Sequence, residues 1–87
     1  MVVHKTIVHA MCPHGGIDYY DVEYSPDAFM TCEDFQDACD AVRGVEAYQE
    51  VITDKLASYL LSGDLTVTGR HGSNTTLVCR KAIPGLT

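Results

Sequence analysis

Two neighbouring polar side chains, those of Gln49 and Glu50, are the best candidates for holding a ligand. They stand near the start of the longest predicted helix, Val45 to Leu61, whose apolar residues recur at spacings of three and four, as in a helix with one buried face. That face is predicted to contain Val45, Tyr48, Ile52, Leu56 and Tyr59. At about 100° per residue, Glu50 falls almost opposite it. We therefore expect its carboxylate to face either water or a pocket formed by other segments.

Cysteine is the other residue type that could do chemistry. The chain has four, Cys12, Cys32, Cys39 and Cys79, and no apolar leader, so we expect reduced thiols rather than disulfides. Cys39 and Cys79 fall on predicted buried positions and suit small hydrophobes. Cys12 ends the first predicted strand, where it is either a small buried residue or a thiol with His9 and His14 near it in sequence.

The charge balance is acidic, with a formal net charge of −6 over 87 residues. Such a chain does not attract a phosphate backbone by bulk electrostatics, so we expect no direct nucleic-acid binding. The acids cluster in 18–23 and 33–40. These clusters indicate solvated faces and an acidic first helical turn, or else an acidic surface that imitates nucleic acid. No apolar run is long enough to span a membrane, so we expect a cytoplasmic protein.

Four segments rich in β-branched and aromatic residues, with glycine-containing turns between the members of each pair, predict two β-hairpins. The predicted strands are Val2 to Met11, Ile17 to Ser25, Leu65 to Arg70 and Thr75 to Lys81. Tyr20, Val22 and Tyr24 occupy every second position of the second strand, so their side chains are predicted to lie on the same face of the sheet. His4 and His9 are interpreted as surface residues of the first strand.

A short acidic helix is predicted over Thr31 to Val42, with Thr31 as its N-cap. Its buried face is predicted to contain Phe35, Ala38, Cys39 and Val42. The chain is then one α+β domain, 1–87, with a hairpin at 1–25, helices at 31–61, a hairpin at 65–81 and a tail at 82–87. The order ββααββ predicts a four-stranded antiparallel sheet with both helices on one face. Its open edges predict a homo-oligomer joined edge to edge.

This order resembles the tunnelling fold (T-fold) shared by GTP cyclohydrolase I, pyruvoyl-tetrahydropterin synthase and 7-cyano-7-deazaguanine reductase, QueF. Met11-Cys12-Pro13, a glycine-containing turn and Asp18 are similar to the reductase's Cys-Pro-x-Thr-Gly-x-x-Asp segment. Arg43 stands seven residues before Glu50, which resembles the family's spacing between an Arg and its ligand-binding Glu. The run QEVITDKLA also looks like the QERLTKQIA run of GTP cyclohydrolase I.

The resemblance implies a QueF-like enzyme of deazaguanine metabolism, of the queuosine and archaeosine type. Cys12 would be the nucleophile that adds to the nitrile carbon of 7-cyano-7-deazaguanine and forms a thioimide. Asp18 would donate or accept the proton of the nitrile nitrogen. Glu50, with Gln49 beside it, would bind the substrate, because a carboxylate accepts two parallel N–H bonds from an amino-pyrimidinone edge.

The chain departs from the reductase pattern at four points, one of which is His71-Gly72-Ser73 in place of the Arg-Gly-Gly of the last hairpin. Gln49 stands where that family carries His, and the turn after Cys12 is one residue shorter. The Glu-Ser-Lys-Ser-Leu-Lys run linked to NADPH has no counterpart, so no cofactor is predicted except NADPH if the chemistry is reduction. The departures favour a relative that uses the same cysteine for a reaction other than reduction, such as an amidinotransferase that adds ammonia to the nitrile.

Two alternatives stay open. One is a zinc or pterin enzyme like GTP cyclohydrolase I, in which Cys12, His14 and His71 would converge on a metal at one end of the sheet. The other is a small acidic binding protein without catalysis. The leading interpretation has no metal.

Overall fold

The computed structural model describes residues 2–85. Its elements are β1 His4–Met11, β2 Ile17–Pro26, α1 Cys32–Asp40, α2 Gln49–Ala57, β3 Gly63–His71 and β4 Thr75–Ile83. The predicted order and element types are confirmed. The tail predicted as irregular, 82–87, begins instead with two strand residues, because Ala82 and Ile83 pair with β3 as part of β4. Its last two positions lie outside the described residues.

The sheet has the strand order β1-β2-β3-β4, and every neighbouring pair is antiparallel. Val8 lies opposite Tyr20, Val22 opposite Val67, and Val67 opposite Cys79. The register therefore lines up apolar side chains across the strands on a single face. That face is the one covered by the helices.

Helix α1 packs as its sequence predicts. Phe35, Ala38 and Cys39 are buried, and Val42 just beyond the helix is also buried. The hydroxyl of Thr31 accepts a hydrogen bond from the backbone N–H of Asp34 at 3.1 Å and caps the helix. Neither described helix is long and apolar enough to cross a membrane.

Helix α2 is shorter than predicted and is rotated. Its buried residues are Gln49, Ile52, Thr53, Leu56 and Ala57. Tyr48 and Tyr59, which were expected on the buried face, are 50% and 52% exposed. The prediction was wrong there because a polar residue, Gln49, takes a core position that an apolar pattern cannot register.

The segment before α2 is extended rather than helical. The backbone N–H of Met11 donates to the oxygen of Val45 at 2.9 Å, and the N–H of Ala47 donates to the oxygen of Met11 at 3.1 Å. Glu46 thereby forms a parallel bridge to Met11. This pairing competes with a first helical turn and starts α2 four residues later than predicted.

His4 is buried, which corrects its interpretation as a surface residue. It is 8% exposed and stacks on Phe35 with ring centroids 5.1 Å apart. Tyr24 stacks in turn on Phe35 at 6.2 Å. The three rings close the core at the end of the sheet where β1 begins and β2 ends.

The second face of the sheet carries no covering element from the described residues. Ile7, Tyr19 and Val78 are exposed on it, and Lys5 pairs with Glu23 there at 3.5 Å. Strands β1 and β4 are the two edges. Both features are consistent with the predicted self-association, which stays a prediction.

All four cysteines are free. Cys39 has no exposed surface, and burial raises the pKa of its thiol from 9.0 to about 11. Cys32 is exposed, while Cys12 and Cys79 are half-buried. The predicted reduced state fits this structure.

The buried thiol predicts a loss of stability at alkaline pH. Above pH 9 an unfolded Cys39 releases its proton while the folded one keeps it, so the free energy of unfolding falls as pH rises to about 11. The loss from this group is about 2–3 kcal/mol. Urea unfolding at several pH values checks it: Cys39→Ala should start less stable and decline less steeply. Parallel pH curves for the two proteins would contradict the prediction.

Candidate ligand-binding site

The candidate residues lie where three segments meet at one end of the molecule. These are the β1–β2 turn, the start of α2 and the end of β3. The bridge between Met11 and Glu46 joins the first two segments. A hydrogen bond between Gln49 and His71 joins the second and third. Residues far apart in sequence are therefore held together by contacts of the backbone and of buried side chains.

Cys12 is fixed at the base of the β1–β2 turn. Its backbone N–H donates to the oxygen of Gly16 at 3.1 Å, and its oxygen accepts from the N–H of Gly15 at 2.9 Å. Gly15 and Gly16 have φ values of 103° and 87°, which favour glycine. The half-buried thiol next to Met11 is thus carried on a closed turn rather than on a mobile loop.

Tyr20 is a buried tyrosine whose hydroxyl contacts one of the predicted catalytic groups. Its hydroxyl donates to Oδ2 of Asp18 at 3.2 Å. Burial is the main cause that raises the pKa of Tyr20, followed by the Asp18 carboxylate and then by the charges of Cys12 and Glu50. Asp18 is hydrogen-bonded to this hydroxyl, whereas Cys12 and Glu50 act on it only as smaller, more distant charges.

Glu50 is exposed and lies in the first turn of α2. A negative charge there interacts favourably with the helix dipole. The N-cap residue, Tyr48, makes no side-chain cap bond; its hydroxyl instead lies 3.1 Å from Nε2 of His14 on the β1–β2 turn. This contact is a second tie between that turn and the helix start.

Gln49 occupies the interior and spans the space between α2 and the sheet. Its Nε2 donates to the oxygens of Val67 and Leu77, both at 2.9 Å, and its Oε1 lies 2.7 Å from Nε2 of His71. Its backbone oxygen accepts from the hydroxyl of Thr53 at 2.8 Å. The residue is 1% exposed, so in this structure its amide braces the helix against β3 and β4.

Gly69 provides the room for this packing. A Cβ at this position would lie 2.6 Å from Cδ1 of Tyr20 and 2.7 Å from Oε1 of Gln49. Both distances are shorter than real Cβ contacts, so the tyrosine ring and the amide both rest against the bare backbone of β3. Gly69 thereby couples the cluster around Tyr20 to the Gln49–His71 pair.

Comparison with known proteins settles the fold. No family model matches the sequence, and no curated protein matches it. The crystal structure of the archaeosine synthase QueF-Like in the apo form is 26% identical to this chain, with a TM-score of 0.69 and coverage of 91% of this chain and 90% of that chain. The chain has the QueF-like tunnelling fold.

The QueF-like fold brings together most of what the sequence singled out. Cys12 on the β1–β2 turn and Glu50 in the first turn of α2 lie at the same end of the fold, and Asp18 is hydrogen-bonded to Tyr20. The sequence indicates Tyr20 first as a sheet-forming residue and second as a stacking platform for a flat ring, and neither interpretation concerns its hydroxyl. The only sequence signal for Gly69 is a glycine inside a strand, which often marks close backbone approach.

The residues of the zinc alternative do not meet in this QueF-like structure. Nε2 of His14 contacts the hydroxyl of Tyr48, whereas Nε2 of His71 contacts Gln49. Within residues 2–85, no three His, Cys, Asp or Glu side chains are arranged to hold a metal ion. Cys12, His14 and His71 therefore belong to separate contacts around the same end of the fold.

Proposed function

We propose that this protein is a deazaguanine-modifying enzyme that attacks the nitrile of 7-cyano-7-deazaguanine with Cys12. The observation that carries the proposal is that the β1–β2 turn with Cys12 and the start of α2 with Glu50 are joined at one end of the fold by the Met11–Glu46 bridge, while Asp18 on β2 is hydrogen-bonded to Tyr20. The fold adds support, because the solved structure to which this chain is similar is that of an archaeosine synthase. A thiol, a proton-transfer group and a carboxylate for recognition are what such a reaction needs.

In the first step the sulfur of Cys12 bonds to the nitrile carbon and one π bond of the nitrile opens. The thiol proton is lost from sulfur and a proton is delivered to the nitrile nitrogen, which gives a thioimide without any oxidant or reductant. Asp18 is the group proposed to carry that proton. Its hydrogen bond from Tyr20 fixes the orientation of the carboxylate.

The second step proposed is amidine formation. Ammonia adds to the thioimide carbon, the carbon–sulfur bond breaks, and the thiol of Cys12 is regenerated. Reduction of the thioimide would instead need NADPH, and the sequence lacks the run linked to its binding. The amidine route is therefore the better match to this chain.

Recognition of the heterocycle is assigned to Glu50. Its exposed carboxylate in the first turn of α2 is free to accept two N–H bonds from an amino-pyrimidinone edge. Gln49 contributes by holding that turn against the sheet. Because β1 and β4 are edge strands, we also propose that a second copy joins edge to edge at one of them and completes the site. A monomer by sedimentation at all concentrations would contradict this.

The test is adduct formation with 7-cyano-7-deazaguanine, followed by absorbance and intact mass. We expect a stoichiometric thioimide in the wild type and in Cys32→Ala, the matched control with an exposed cysteine elsewhere. Cys12→Ala should give no adduct while keeping its circular dichroism. An adduct in Cys12→Ala, or none in folded wild type at saturating nitrile, would refute the proposal.

A further inference from the structure

The orientation of the Gln49 amide is fixed by its surroundings. One of its two polar atoms lies 2.9 Å from the oxygens of both Val67 and Leu77. Backbone oxygens only accept hydrogen bonds, so that atom must be the NH₂ group. The reversed amide would bring three oxygens, none of which can donate, into contact in a buried position.

The fixed amide determines which ring nitrogen of His71 carries the proton. Oε1 of Gln49 accepts only, and it lies 2.7 Å from Nε2 of His71. That nitrogen must therefore donate, so the neutral ring is protonated at Nε2 and carries its lone pair at Nδ1. The tautomer follows from a chain of contacts that starts in the sheet backbone.

We propose that His71 is a specificity residue of the ligand site, in which Nδ1 accepts a hydrogen bond from an N–H group of the bound heterocycle. The inference rests on the proposed function for the identity of the ligand. His71 ends β3, is exposed, and is bonded to the residue next to Glu50. The side chains of Glu50 and His71 then form a pair of hydrogen-bond acceptors at the same end of the fold.

The chemistry of this pair selects a class of ligand. A carboxylate and an unprotonated imidazole nitrogen both accept, so they match a planar heterocycle whose edge is rich in N–H donors. A ring that presents only acceptors would leave both groups unpaired and would bind weakly. Gln49 is in this view a positioning residue, because it acts on the ligand through His71.

The tautomer is measured by two-bond ¹H–¹⁵N correlation spectra of the imidazole rings in ¹⁵N-labelled protein, with His71 assigned from the peak lost in His71→Gln. We expect the Nε2–H tautomer in the free protein. In Cys12→Ala saturated with 7-cyano-7-deazaguanine, Nδ1 of His71 should shift upfield as it accepts a hydrogen bond. An Nδ1–H tautomer, or an Nδ1 signal unmoved in the saturated complex, would overturn the inference.

Two variants of the same residue separate the roles of its nitrogens. Asparagine puts its polar atoms near the position of Nδ1, whereas glutamine puts them near Nε2. We expect His71→Asn to bind the nitrile with nearly wild-type Kd and His71→Gln to lose about tenfold, the effect of one lost hydrogen bond. His9→Asn is the control, because that ring lies beside Tyr19 on β1 and β2. Equal affinities for the two His71 variants would contradict the assignment.

The inference and the proposed function fail in different ways. If the nitrile binds but no thioimide forms, the proposed chemistry is wrong and the Nδ1 shift still decides the role of His71. If the thioimide forms and the His71 signals do not move, only the inference fails. If the nitrile does not bind at all, the ligand contact is refuted together with the function.

Discussion

Gln49→Leu is expected to lower the free energy of unfolding by about 2–4 kcal/mol, although it replaces a polar core residue with an apolar one of similar size. The reason is that the oxygens of Val67 and Leu77 lose their common donor in a part of the core where water has little access. Each of these two hydrogen bonds contributes about 0.5–1.5 kcal/mol and the bond to His71 is lost as well, while the added apolar burial of leucine offsets part of that sum.

The neighbouring residue supplies the matched control. Glu50→Gln changes a charge on an exposed side chain in the same helical turn, so it should leave stability within about 0.5 kcal/mol. It should nevertheless weaken nitrile binding, because one charge-assisted acceptor is lost. Urea unfolding monitored by circular dichroism and binding by calorimetry measure the two effects. Equal stability of Gln49→Leu and wild type would show that the hydrogen bonds of the Gln49 amide contribute nothing to the free energy of unfolding.

The contrast separates two residues that the sequence presented as one candidate pair. The sequence identified the right dipeptide and predicted correctly that Glu50 lies off the core. It could not predict that Gln49 is buried, because its partners Val67, Leu77 and His71 come from β3 and β4. A hydrogen bond across 18 or more residues leaves no local pattern.

The fold was more predictable than the site. Alternation in β2 correctly placed Tyr20, Val22 and Tyr24 on one face, and the apolar spacing of α1 gave its buried residues correctly, because both are local signals. The start of α2 could not be predicted in this way, because it depends on the pairing of Val45 and Ala47 with Met11, at the end of a distant strand. Tertiary pairing there outweighs local helix preference.

Gly69→Ala is expected to be the more informative core substitution, because it affects both halves of the site. The added methyl group would lie 2.6 Å from Cδ1 of Tyr20 and 2.7 Å from Oε1 of Gln49. Neither neighbour can yield freely, since Tyr20 is 1% exposed and the Gln49 amide is held by three contacts. We expect a loss of about 3 kcal/mol from crowding and from weakened amide bonds.

Two other glycines show whether crowding is the cause. Gly85→Ala places its methyl group 3.8 Å from Ser62, an ordinary contact, and should leave stability unchanged. Gly72 has open space around it but a φ of 74°, so Gly72→Ala should cost only the backbone strain of about 1–2 kcal/mol.

Gly69→Ala should also disturb function where those two variants do not. Displacement of Tyr20 moves the hydroxyl that orients Asp18, and displacement of Gln49 releases the His71 ring. We therefore expect slower thioimide formation and a mixture of His71 tautomers in the fraction that remains folded. A Gly69→Ala protein with wild-type stability, adduct rate and tautomer would show that the two clusters are not coupled through β3.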